Sequence, residues 1–110
     1  AALCARLNQF DEAEAGFRRA MELAPERAGA YLGLVKLYIG ADRNLPEAAR
    51  LAAKAVDLEP SARNYVLLSA VLGETGDQRG AMAAIERAIE LEPDDPVPRQ
   101  IRELLNKNRQ

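Results

Sequence analysis

A chain of 110 residues holds one small domain, and its 48% hydrophobic and 29% charged residues exclude a disordered polar segment. Fifteen basic against 17 acidic residues leave a net charge of -2, so no global field draws nucleic acid or an anionic membrane. One cysteine, Cys4, and no histidine exclude an internal disulfide, a Cys/His metal cluster and a histidine-based triad, and no apolar run approaches the length of a membrane span.

The first element, "AALCARLNQ", runs directly into "FDEAEAGFRRAMELAPE", where Ala13, Phe17 and Ala20 make a helical stripe that closes at Pro25. The next, "YLGLVKLY", carries Tyr31, Leu34, Val35 and Tyr38 on one face. After "GADRN", the run Asn44, Leu45, Pro46 and Glu47 predicts a restart with a capping box, in which Asn44 accepts from the Glu47 amide and the Glu47 carboxylate reaches back. The helix that follows repeats the small-residue stripe as Ala48, Ala52 and Ala55, closing at Pro60. "YVLLSAVL" then supplies Tyr65, Leu68, Ser69 and Leu72. Gly76 is expected to stop that helix and Asp77 to cap another, whose stripe is Ala81, Ile85 and Ala88 before Pro93. Finally, Asp95 and Pro96 open a last helix with Val97, Ile101, Leu104 and Leu105 predicted inward and Arg99, Arg102, Glu103, Lys107 and Arg109 outward.

Pro25, Pro60 and Pro93 stand 35 and 33 residues apart, and each period reads as two antiparallel helices. The pattern resembles the tetratricopeptide repeat family: an aromatic, Leu and a small residue, then Tyr, followed in the second helix by Ala, an apolar residue, Ala and a terminal Pro. Val35 is larger than the family's usual small residue and Leu72 replaces its usual Tyr. The resemblance extends over almost the whole chain and implies an all-α fold: a right-handed solenoid of roughly seven helices, the first incomplete and the last a C-terminal capping helix. Residues 1–110 are then a single domain, expected to be a piece of a longer protein because its first front helix is short. Cys4 falls at the aromatic position of that helix, where packing is the expected role.

Front helices in this family line a concave face that takes peptides or helices. Carried over by repeat phase, the corresponding positions are Leu32, Lys36 and Ile39, then Arg63, Val66, Leu67, Ala70 and Glu74. Some family members clamp a terminal carboxylate with Lys and Asn. Here Leu32, Gly33 and Leu67 occupy such positions and only Arg63 is basic, which implies an apolar ligand face with Lys36 and Arg63 orienting an acidic group. The implied function is a noncatalytic module with a protein or peptide partner. The alternative is a structural spacer or a self-assembling segment, with a second copy of the chain as the occupant.

Other chemistries find little support. "GETG" at residues 73–76 lacks the remainder of a phosphate loop and follows no strand, so turn formation accounts for it. The acidic clusters Asp11, Glu12, Glu14 and Glu90, Glu92, Asp94, Asp95 come with no complementary nucleophile or base, so neither an enzyme nor a cofactor is expected. Arg18, Arg19 and the three tyrosines do not form a repeated base-reading pattern, and neither nucleic acid nor a membrane is an expected partner.

Overall fold

Pro25, Pro60 and Pro93 each stand in a break between helices, where a residue without an amide donor cannot continue the hydrogen-bond ladder. The computed structural model describes the backbone of residues 2–109 and the side-chain environments of residues 9–107. Within that span the elements are α1 (Ala2–Leu23), α2 (Ala28–Ala41), α3 (Leu45–Leu58), α4 (Ala62–Glu74), α5 (Gln78–Leu91) and α6 (Pro96–Arg109). No strand occurs among the described residues. Each helix packs against the next in chain order, giving an elongated stack of 42 × 32 × 21 Å. The side chain of Cys4 lies outside the described residues.

Among the described residues six helices stand where about seven are expected, because residues 2–23 form one helix of 22 residues. No glycine or proline precedes Gly16, so nothing in "LNQFDEAE" interrupts the backbone ladder where a front helix would turn into its partner.

The turns show how local chemistry sets the helix ends. After α2, the amide of Arg43 donates to the Tyr38 carbonyl at 3.0 Å and that of Asp42 to Ile39 at 3.2 Å, with Asp42 left-handed at φ 54°. After α4 the same pair of bonds runs from Asp77 to Leu72 at 2.9 Å and from Gly76 to Gly73 at 3.2 Å. There Gly76 takes the left-handed position at φ 89°, as its expected role as a helix stop requires. Asp77 caps α5 by accepting from the Gly80 amide at 2.9 Å, and Asp95 Oδ1 accepts from Val97 at 3.0 Å at the start of α6. The expected capping box at Asn44 does not form. Asn44 is itself left-handed at φ 53°, which turns its side chain away from the amides it would cap, and Glu47 pairs with Arg50 instead.

Two apolar clusters form the core. The first joins Phe10, Tyr31, Leu34, Val35 and Tyr38 to Ala48, Leu51, Ala52, Ala55 and Val71, and the second joins Ala62, Ala81, Ile85, Ala88 and Leu105. Alanines at the seams let the helices approach closely. Where α1 meets α2 the Phe17 ring occupies the space a side chain would take at Gly33, since a Cβ there would lie 2.3 Å from a ring carbon. Two buried hydroxyls are tied in: Ser69 Oγ donates to the Ala81 carbonyl at 2.8 Å, and Tyr31 Oη donates to the Pro25 carbonyl at 3.0 Å. Tyr38 Oη donates to Glu14 at 2.5 Å and accepts from Arg18 at 2.8 Å, joining α1 to α2.

By repeat phase Tyr31, Tyr38 and Tyr65 are expected to be enclosed and Ala20, Ala55 and Ala88 to sit at close helix contacts; burial departs from this at Tyr65 and Ala20, and from the expected inner stripe on α6. Tyr65 is half-buried rather than enclosed, with the Arg87 guanidinium 5.9 Å from its ring centroid. Ala20 is likewise only partly covered, whereas Ala55 and Ala88 are fully buried. On α6 the inner stripe is Pro98, Ile101 and Leu105, while Val97 and Leu104 keep 49% and 60% of their surfaces exposed.

Candidate functional site

Helices α2 and α4 occupy equivalent places in successive pairs, and one face of each borders a common groove. On α2, Leu32 and Lys36 lie one turn apart. On α4, Arg63, Val66, Leu67 and Ala70 share a face by the same periodicity. These six line a groove of 880 Å³ together with Glu59, Ser61 and Asn64. Leu32 and Leu67 pack partly against the first core cluster and Val66 against the second, so the apolar floor is anchored from beneath. Of the remaining sequence-derived positions, Ile39 packs against the first core cluster, and Glu74 is exposed at the C-terminal end of α4; neither lines the groove.

Three lining residues escaped the sequence reading. Ser61 Oγ accepts from the Asn64 amide at 3.2 Å, capping α4, a pairing hinted at by the Ser-x-x-Asn spacing. Asn64, 3% exposed, donates through Nδ2 to the Glu59 carbonyl at 2.9 Å and to Glu59 Oε2 at 3.2 Å. That pair of bonds holds the α3–α4 turn against the groove, and no local sequence pattern announces it.

A second compartment of 360 Å³ continues from the first. Ser61, Arg63 and Val66 line both, and Ala62, Glu92, Asp95 and Val97 complete the second. Ion pairs among the described residues join Arg18 to Glu14, Arg50 to Glu47 and Arg87 to Glu90, and include neither Lys36 nor Arg63. Both groove cations are exposed, and among the described residues neither is held in an ion pair. Among the described residues no group of His, Cys, Asp and Glu side chains is placed to hold a metal ion, and no helix is long and apolar enough to cross a membrane.

Comparison with known proteins follows the same architecture. The tetratricopeptide repeat family model matches residues 62–95, which span α4, α5 and the turn after α5. Cellulose synthase operon protein C of Pseudomonas fluorescens (strain SBW25) is 31% identical over 101 residues; the match covers 84% of this chain and 8% of that protein. The chain thus spans a small part of that curated relative. Among solved structures, the MamA protein superposes with a TM-score of 0.82 at 22% identity, covering 94% of this chain and 57% of the other. YrrB, described as a tetratricopeptide repeat protein with an unusual peptide-binding site, gives 0.78 at 25% identity and covers 98% of this chain and 56% of its own.

Proposed function

This chain belongs to the tetratricopeptide repeat family, and from that premise we propose that it is a noncatalytic protein-interaction module whose α2–α4 groove seats a peptide or helix. The observation that carries the reading is the convergence of Leu32, Lys36, Arg63, Val66, Leu67 and Ala70 on one groove. An apolar side chain of the partner covers Leu32, Val66 and Leu67, and an acidic group meets Lys36 and Arg63. The apolar contact supplies most of the affinity, because desolvated central contacts outweigh solvent-exposed charges. The peptide-binding site in the description of YrrB supports a peptide as the class of partner.

Peptides selected from a random library against the native chain provide the probe. Leu32→Ala is expected to weaken their binding about tenfold, the equivalent of an interface residue contributing somewhat above 1 kcal/mol. Arg63→Ala weakens it less and flattens its salt dependence, since a screened charge pair has been removed. Unchanged affinity in both variants, with circular dichroism showing them folded, would reject the site.

A second reading, a spacer or self-assembling segment, draws on the exposed apolar residues Val97 and Leu104 of α6. It requires concentration-dependent association in sedimentation equilibrium that Leu104→Glu abolishes.

A further inference from the structure

We infer that the groove selects a segment of mixed polarity: an acidic residue toward α2, an apolar middle over Val66, and a basic residue toward the turn between α5 and α6. The inference rests on the reading of the groove as a peptide site and adds the charge order of its ligand.

Continuity is the first support. Ser61, Arg63 and Val66 line both compartments, so a segment lying over Val66 reaches from α2 to the α5–α6 turn without leaving the surface. The two compartments, reaching from α2 across α4 to the α5–α6 turn, extend over a distance on the order of 20 Å, about two helix spacings. About six extended residues cover that distance at about 3.3 Å each.

Charge is the second, independent support, because the two compartments carry opposite balances. The one between α2 and α4 holds two cations, Lys36 and Arg63, against one carboxylate, and that carboxylate, Glu59, already accepts from the buried Asn64. The other sets two carboxylates, Glu92 and Asp95, against the single cation Arg63. Asp95 spends one oxygen on the Val97 amide at the start of α6, whereas Glu92 enters no ion pair among the described residues. The exposed Asp94 adds a further negative charge to the same turn.

At physiological ionic strength charges are screened over about 8 Å, so each end of the groove is felt by the nearest ligand residue rather than averaged over the whole segment. A segment acidic at both ends meets repulsion at Glu92, and one basic at both ends meets it at Lys36. Only the mixed order is matched along its length, and like-charge contacts penalise the others. A nucleic acid strand, uniformly anionic, is disfavoured at Glu92 and Asp94 for the same reason.

Panning a library of random eight-residue peptides on the native chain and on Glu92→Lys tests this charge order. The native chain is expected to enrich sequences with an acid and a base flanking an apolar centre. Glu92→Lys is expected to enrich acids at both flanks and to bind a synthetic native-selected peptide at least tenfold more weakly. If native selections carry an apolar centre and an acid but no base, or if Glu92→Lys leaves the selected pattern unchanged, the charge order is wrong while the groove remains a peptide site. If no sequence is enriched, or if the enriched peptides bind Leu32→Ala as tightly as the native chain, the peptide site itself fails and the charge order with it.

Discussion

Asp42 adopts φ 54° and ψ 46° in a turn whose hydrogen bonds match those around Gly76, where glycine meets the same demand without a Cβ. An L-residue in this region carries a steric cost that a short acidic side chain only partly offsets. Asp42→Gly is therefore expected to raise stability by about 0.5–1 kcal/mol in urea unfolding, the relief exceeding the added freedom of the unfolded chain. Asn44, two residues on, shows why the turn was misread: a cap is legible from residue type and spacing, but a left-handed backbone at the cap redirects the side chain. Tyr38 offers a different handle. Burial first, and then its bond to Glu14, push its phenol above the ordinary 10.0. The folded state thus holds the proton more tightly than the unfolded state. That contribution is fully present below pH 10.0 and is lost as pH rises through the raised folded value. Melting temperatures followed from about pH 8 to about pH 11 should fall less steeply in Tyr38→Phe than in the native chain. An identical alkaline slope would remove Tyr38 as its source.

Between elements, α1 meets α2 where the Phe17 ring fills the space over Gly33. A methyl group there displaces an aromatic ring held between two helices, so Gly33→Ala is expected to cost about 1–3 kcal/mol despite alanine's better helix propensity. Adding Phe17→Leu should restore part of the loss, and additive losses in equilibrium unfolding would show that the two positions do not share this contact. Helix pairing was legible because the stripes at Tyr31–Tyr38, Ala48–Ala55 and Ala81–Ala88 recur with the period of the turns. The rotation of α6 was not. Val97, Ile101 and Leu104 satisfy helical spacing as well as Pro98, Ile101 and Leu105 do, and only the packing against α5 selects the second set. Proline at position 98 reads as a helix opener, although its ring also serves as a buried apolar surface.

At the scale of the whole molecule, stability is divided between two clusters rather than pooled in one. Leu105 belongs to the second, so Leu105→Ala should lower the protection of amides in α6 and the end of α5 by about 2 kcal/mol or more. Amides of α2 and α3 should keep their exchange rates, as hydrogen exchange read by mass spectrometry would reveal; uniform acceleration would mean a single cooperative unit. The groove was largely legible at this scale because repeat phase specifies which helix faces turn the same way, bringing Leu32 and Lys36 to Arg63 and Val66. Its acidic continuation at Glu92 and Asp95 was not. Those residues read as solvated charge until the α5–α6 turn is seen to border Arg63.

The division of the core also has a temporal side. Among the described residues the first cluster draws on nothing beyond Val71, whereas the second waits for Leu105. As a ribosome extends the chain from its N-terminal end, α1 to α4 can close their own core while α5 and α6 are still being made. Helix α4 then offers Ala62 and its neighbours as a finished surface, and the last two helices assemble on a template rather than search for one.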